Sequence, residues 1–246
     1  MSIGIIGYGM VGKAVEIGFP RCPVHVSDPE YNDVTVEQVC AKNPEAIFVC
    51  VPTPTDETNF AILTGVLDQI HNCRYKGVVA VKSTVLPQHL QGRDNVVYNP
   101  EFLSRATANK DFVNPPMLIL GGRRADDLLT VYSKYSDVDT PHVVITDINT
   151  AALAKYAMNS FYALKITYMN NLYDVAKQLK VDWPNMVDIF KKQPWMGTHH
   201  FEVPGPDGER GFGGPCLPKD TEAFADAFHI ELLKQVLKMN DEFRDS

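Results

Sequence analysis

The segment Gly7-Tyr8-Gly9-Met10-Val11-Gly12 leaves this chain few choices of fold. A short apolar run at residues 2–6 precedes it, and residues 13–19 of helical character follow it. A second apolar run at 24–27 ends at Asp28, 21 residues after Gly7 and close to the spacing of about 20 expected between a dinucleotide-binding glycine turn and its acid. Each glycine has a job in such a turn. Gly7 permits the tight bend, Gly9 lets a pyrophosphate approach the backbone, and Gly12 lets the helix pack closely on the strand. The helix start at Met10 and Val11 offers free N–H groups and a positive dipole end to phosphate. Asp28 can accept hydrogen bonds from ribose hydroxyls and would repel a 2′-phosphate, so NAD is favoured over NADP. A glycine turn without a ligand is the alternative, and the strand context and the acid speak against it.

Further strand-like runs lie at 46–51, 78–82, 96–98, 117–120 and 143–146, separated by helical or loop segments that include 34–41, 62–72 and 126–135. Strand alternating with helix predicts an α/β fold, a Rossmann-like, doubly wound parallel sheet covered on both faces. Cys50-Val51-Pro52-Thr53-Pro54 and Lys82-Ser83-Thr84 each end a predicted strand. Ligands of open parallel sheets bind beyond such carboxyl ends, so Pro52, Thr53 and Thr84 are candidates to line the nicotinamide side. Ordinary strand-to-loop caps would look the same.

The texture changes near Asp147. No proline or glycine occurs from 150 to 180, and Leu153, Ala157, Phe161, Leu164, Tyr168, Leu172, Val175 and Leu179 recur at spacings of three and four. That pattern predicts one long amphipathic helix with Asn149 or Thr150 as N-cap. A shorter helix at 184–192 opens on proline, a Gly/Pro-rich loop covers about 193–218, and 221–243 is helical again with a break near His229. The expectation is a domain at 1–147 followed by an all-helical domain at 148–246 built on the long helix.

The loop ends in Gly211-Phe212-Gly213-Gly214-Pro215-Cys216-Leu217-Pro218-Lys219-Asp220. Three glycines bring the backbone close to something, two prolines stiffen the flanks of the thiol, and a lysine and an aspartate stand within four residues of it. On its own the segment reads equally well as a surface turn or as an active-site cysteine.

Composition narrows the classes. The 246 residues carry a net charge of -7, which argues against a nucleic-acid or membrane-surface binder, and no apolar run approaches the roughly 20 residues of a membrane span. The five cysteines, Cys22, Cys40, Cys50, Cys73 and Cys216, include no CxxC pair and form no disulfide framework, so a reducing cytoplasm is the simplest compartment. The neighbouring His199 and His200 read as surface residues, with contact to a phosphate or sugar as the alternative, and no metal site is expected.

Taken together, the motifs resemble the UDP-glucose/GDP-mannose dehydrogenase family, and they occur in that family's order. They are GYGMVG at 7–12, CVPTP at 50–54, KST at 82–84, NPEFL at 99–103, AALAKYAMNSFYALKITYMN at 151–170 and GFGGPCLPKD at 211–220. The first is shared by many dehydrogenases; the last two are specific. The resemblance implies oxidation of a nucleotide sugar's C6 alcohol to a carboxylate with two NAD per sugar. It implies Cys216 as the nucleophile, since thiolate addition turns a planar aldehyde into a tetrahedral adduct that can be oxidised again.

Further roles follow from the resemblance alone. Lys155 and Asn159, four apart and so on one helix face, bind substrate and stabilise oxyanions at C6. Asp220 handles a proton or water, and Thr84 and Glu101 act in thioester hydrolysis. Glu101, Phe102, Leu103 and Gly213 contact substrate, and Lys219 lies near the cofactor. A homodimer through the helical domain is implied, with apolar stripes on the long helix and at Leu232, Leu233, Val236, Leu237 and Met239 as candidate surfaces.

The chain departs from the family pattern in three places. It stops at Ser246, where family members continue into a third, nucleotide-holding domain. Arg105 stands where an acid is usual, and the 198–210 loop is unusual. A two-electron β-hydroxyacid-type dehydrogenase, which leaves GFGGPCLPKD unexplained, and a catalytically impaired NAD-binding module are the competing readings.

Overall fold

A computed structural model of the chain describes residues 1–54, 60–104 and 106–245, so Arg105 lies outside the described residues. Contacts divide the chain into two compact units, residues 1–155 and 156–246.

The first unit holds a seven-stranded sheet. Its strands are β1 (Ile3–Ile6), β2 (Val24–Ser27), β3 (Ala46–Val49), β4 (Val78–Val81), β5 (Val96–Tyr98), β6 (Leu118–Gly121) and β7 (Val143–Thr146), in the order β2-β1-β3-β4-β5-β6-β7. Helices α1 (Met10–Gly18), α2 (Val36–Ala41), α3 (Ala61–Asn72), α4 (Ala108–Val113) and α5 (Ala125–Tyr135) connect them. Strand alternation sorts the core. Ile3, Ile5, Phe48, Ala80 and Val97 pack with Val15 and Phe19 of α1, Phe112 of α4 and Leu128 and Tyr132 of α5. On the opposite face, a side chain at Gly4 would meet Val39 of α2 and Ile47 of β3.

The sheet is Rossmann-like with one departure from an all-parallel layout. β5 and β6 run antiparallel and pair only through Tyr98 and Gly121, while β6 and β7 are parallel. An apolar run carries no direction, so the sequence had no signal for this reversal. β7 forms the sheet edge with Val143, Val144 and Ile145 each more than 40% exposed, where a buried strand was expected. Order reverses between β1 and β3, which start from adjacent positions and send their chains to opposite sides. Gly7 and Cys50 therefore leave neighbouring strands at the switch point.

Helix ends follow local chemistry more closely than periodicity. Thr35 and Gln38 form a capping box, so α2 starts at Val36 and not at Val34. Helix α6 (Ile148–Leu179) begins before the expected Asn149 or Thr150 cap, because Asp147 takes the Thr150 N–H on Oδ1 at 2.9 Å and its hydroxyl on Oδ2 at 2.6 Å.

Helix α6 enters the second unit, which also holds α7 (Trp183–Lys192), α8 (Leu217–Phe228) and α9 (Glu231–Arg244). The face of α6 is the largest correction. The expected apolar stripe is mostly outside: Leu153, Ala157, Phe161, Tyr168, Val175 and Leu179 are exposed, and only Leu164 and Leu172 are half-buried. The buried positions include Lys155, Asn159, Ser160, Thr167 and Asn170. Beside them lie Ala151, Ala152, Tyr156, Ala163, Met169 and Ala176. Periodicity located the helix but not its inner side, because the inner face mixes small alanines with hydrogen-bonded polar side chains while most of the counted large apolar residues lie outside. On α9 the reverse holds: Leu233 and Val236 are buried and only Leu232 is well exposed.

Candidate active site

In the first unit the glycine turn has the geometry its residues promised. Gly7 has φ +89°, and a Cβ there would come within 2.8 Å of the Cys50 and Val51 backbone. A Cβ on Gly12 would lie 2.2 Å from the Gly7 carbonyl oxygen, so the helix packs as closely as a glycine allows. Gly9, by contrast, has nothing within 4 Å of its missing Cβ. It is the N-cap of α1 and supplies no side-chain acceptor, so the first-turn N–H groups at Met10, Val11 and Gly12 remain available to an anion. Asp28 accepts from the Tyr8 N–H at 2.5 Å and the Glu30 N–H at 2.8 Å, which fixes the carboxylate at the end of β2. The open space over Gly9, the free helix start and the held acid fit a dinucleotide. The Tyr8 hydroxyl bonds Glu16, which with burial pushes its pKa up to about 12.

The loops after β3 and β4 are stitched together. Thr53 donates to the Thr84 carbonyl at 3.0 Å, and Ser83 donates to the Val51 carbonyl at 2.6 Å. Gly7, Pro52, Thr53 and Thr84 thus gather at the carboxyl ends of β1, β3 and β4. Next to them Glu101 and Lys155 form a buried pair, 9% and 3% exposed. Lys155 Nζ donates to the Glu101 carbonyl at 2.5 Å and lies 3.4 Å from its Oε1, while Oε2 accepts from the Leu103 N–H at 2.6 Å. The ammonium also stands 4.9 Å from the Phe102 ring centroid. Glu101, Phe102, Leu103 and Lys155, all expected to meet substrate, therefore form one cluster.

The sequence placed Lys82 in a polar cluster at a strand end but gave no sign of its burial or of its partner Asn99 beneath that cluster. Lys82 is 3% exposed and donates to Asn99 Oδ1 at 3.2 Å. Asn99 is fully buried, also accepts from the Tyr132 hydroxyl at 2.7 Å, and donates to the Ile119 carbonyl at 2.9 Å. Burial pulls the Lys82 pKa down to about 8, against the opposing influence of Cys50 and Glu101. Burial pushes the Cys50 thiol up to about 12, so this cysteine is a poor nucleophile.

In the second unit Cys216 is half-buried and is the N-cap of α8. The helix starts at Leu217 and not after Pro218, because proline is well tolerated in a first turn. Lys219 and Asp220 consequently belong to that first turn. Asp220 is 1% exposed, with Lys219 Nζ 2.5 Å from Oδ1 and Asn159 Nδ2 donating to Oδ2 at 2.6 Å. Burial raises the Tyr156 hydroxyl, and the Asp220 charge adds to the effect.

The glycine-rich approach to Cys216 is held by two buried asparagines that the sequence reading did not single out. Asn170 Oδ1 accepts from the Gly211 N–H at 3.1 Å, and Asn240 Oδ1 accepts from the Phe212 N–H at 2.6 Å. Gly211 has φ +69°, and a Cβ there would lie 2.5 Å from Asn240 Oδ1. Gly213 sits against the Arg244–Asp207 ion pair of 2.7 Å. His199 is exposed, whereas His200 is half-buried and packs 4.7 Å from the Tyr162 ring. Among the described residues no group of three His, Cys, Asp or Glu is placed to hold a metal ion, and no helix is long and apolar enough to cross a membrane.

Known proteins of one family are similar to this chain. Residues 35–139 match the NAD binding domain of the UDP-glucose/GDP-mannose dehydrogenase family, and residues 149–242 match that family's central domain. The chain is 31% identical over 223 residues to a UDP-glucose 6-dehydrogenase of Rickettsia bellii, covering 82% of this chain and 50% of that one. It is 29% identical to a GDP-mannose 6-dehydrogenase of Pseudomonas savastanoi, covering 78% and 49%. A solved UDP-glucose dehydrogenase from Pyrobaculum islandicum superposes with a TM-score of 0.81 at 26% identity, covering 98% of this chain and 68% of that one. The chain spans about half the length of the curated relatives it matches. The two family matches lie in order along one chain and take in most of it, so the chain belongs to the UDP-glucose/GDP-mannose dehydrogenase family.

Proposed function

We propose that this chain serves an NAD-dependent nucleotide-sugar 6-dehydrogenase that converts the C6 alcohol of a UDP- or GDP-sugar to a carboxylate. On this reading residues 1–147 bind NAD and residues 148–246 carry the nucleophile. The observation that carries it is the setting of Cys216, at the positive end of α8 with a buried, doubly bonded Asp220 one turn on. A helix N-terminus favours a thiolate over a thiol.

Bound NAD supplies the electron-pair acceptor for two successive oxidations. The protein's residues do the rest. In the first oxidation the C6 hydroxyl loses its proton and the carbon becomes an aldehyde. The Cys216 thiolate then adds to that carbon, and negative charge builds on the C6 oxygen. The Lys155 ammonium and the Asn159 amide N–H are the groups suited to stabilise it. After the second oxidation the carbon is a thioester. Water attacks it, the C–S bond breaks, and the thiolate of Cys216 returns with the carboxylate. Asp220, Thr84 and Glu101 are the groups assigned to place that water and take its proton, with Lys219 toward the cofactor and Gly213 toward the sugar.

The exposed apolar stripe of α6 supports a homodimer through the helical domain, and five cysteines outside any disulfide fit a reducing compartment such as the cytoplasm.

The test is NADH release with UDP-glucose, GDP-mannose and UDP-N-acetylmannosamine. Two NADH per sugar are expected, and Cys216→Ala should stop before the acid forms. One NADH per sugar with an unaffected Cys216→Ala would favour the two-electron reading. NAD binding without sugar binding in calorimetry would favour a binding module.

A further inference from the structure

The fold keeps a lysine in its interior that the proposed reaction does not use. Lys82 stands one residue beyond β4, and its surroundings come from every neighbouring element. Cys50 faces it from just beyond β3, Asn99 and Glu101 from just beyond β5, Asp111 and Phe112 from α4, Tyr132 from α5 and Lys155 from α6. Asp111 is occupied by the Ser104 N–H and the Thr107 hydroxyl.

An ammonium has three N–H donors. One of them goes to Asn99 Oδ1, and the Phe112 ring centroid lies 5.2 Å from Nζ. Lys82 also lines a small cavity of about 20 Å³ whose walls include Glu101, Phe102, Leu103, Phe112 and Tyr132. A single water needs at least about 10–15 Å³ and two to four polar partners. Here the partners present are the Lys82 ammonium and the Glu101 carboxylate.

We propose that Lys82 is a positioning residue whose ammonium holds Asn99 directly and, through one water in this cavity, holds the Glu101 carboxylate in place. Glu101 is thereby gripped from two sides, by Lys155 at 3.4 Å and by the bridged Lys82 from below. Asn99 extends the grip to β6 through the Ile119 carbonyl and to α5 through the Tyr132 hydroxyl. Only the consequence for turnover rests on the proposed function; the contact itself does not.

The test reads Lys82 directly, by 13C NMR of protein labelled at the lysine ε-carbon. Its midpoint is expected near 8 in the unaltered protein. In Glu101→Gln it should fall by about one pH unit, because the carboxylate that favours the ammonium is gone. An unchanged midpoint overturns the proposal, and this arm needs no Lys82 variant to fold. A crystal structure at high resolution should show one water within hydrogen-bond reach of both groups; an empty cavity overturns the bridge.

In turnover, kcat should decline above pH 8 in the unaltered protein. Lys82→Met should lower kcat, leave KM for NAD unchanged and remove that alkaline limb. A limb that survives in Lys82→Met counts against the proposal. A coupled titration without any turnover would instead refute the dehydrogenase reading and leave the contact standing.

Discussion

Replacing Lys82 with methionine isolates what its buried charge costs the fold. Burial lowers its pKa from 10.5 to about 8. At about 1.4 kcal/mol per pH unit, that gap corresponds to ~3 kcal/mol. The sign follows from proton counts. Below pH 8 the lysine is charged in both states, and the native state bears the full burial cost. Between pH 8 and 10.5 the unfolded chain binds the extra proton, so native stability rises with pH through that window.

Lys82→Met keeps much of the side-chain volume and removes the charge, at the loss of the hydrogen bond to Asn99 and of the water link to Glu101, together worth about 1–2 kcal/mol. At pH 7 the variant should therefore be more stable by ~1–2 kcal/mol. The assay is urea unfolding of both proteins from pH 7 to 10.5. Other lysines, tyrosines and cysteines titrate in both, so the difference between the curves reports Lys82. That difference should change by ~3 kcal/mol across the window and reverse sign, leaving the variant less stable by ~1–2 kcal/mol near pH 10.5. A constant difference, or a variant less stable at pH 7, would refute the burial argument.

Three further outcomes are expected. Gly12→Ala puts a Cβ 2.2 Å from the Gly7 carbonyl oxygen and should cost about 1–3 kcal/mol in thermal unfolding, whereas Gly9→Ala meets nothing within 4 Å and should stay within about 0.5 kcal/mol. Gly9→Ala should nonetheless weaken NAD by about tenfold or more in calorimetry, since the pyrophosphate path proposed here crosses that position. Asn240→Ala leaves the buried Phe212 N–H without its acceptor and should cost about 1–3 kcal/mol, with faster iodoacetamide labelling of Cys216 as its loop loosens. Phe161→Glu with Tyr168→Glu should shift sedimentation toward a single chain without lowering thermal stability, because both side chains are more than half exposed.

The first unit was legible because its signals are local. A strand, a glycine turn, a helix start and an acid at Asp28 all act over some twenty residues, and each is chemically distinctive. Strand ends at Cys50 and Lys82 were visible for the same reason. The interior partnerships were not, since Lys82 to Asn99, Asn159 to Asp220 and Asn170 to Gly211 join residues 17, 61 and 41 apart in the chain. Helix α6 shows the limit most sharply. Its length followed from the missing prolines and glycines, but its inner face is built largely of alanines together with polar side chains such as Asn159 and Asn170 whose partners lie far along the chain, so a count of large apolar spacings pointed to the outer side.

The Asn240 bond gives the last helix a mechanical office. Asn240 holds the Phe212 N–H, and Arg244 reaches both Asp207 and the Arg210 carbonyl, so the backbone that leads to Cys216 is tethered to α9 at three points. A slide of α9 by one turn would carry Asn240 about 5.4 Å along its axis, beyond reach of that N–H. Tension applied at the end of α9 is thus delivered to the thiol-bearing loop by two side chains.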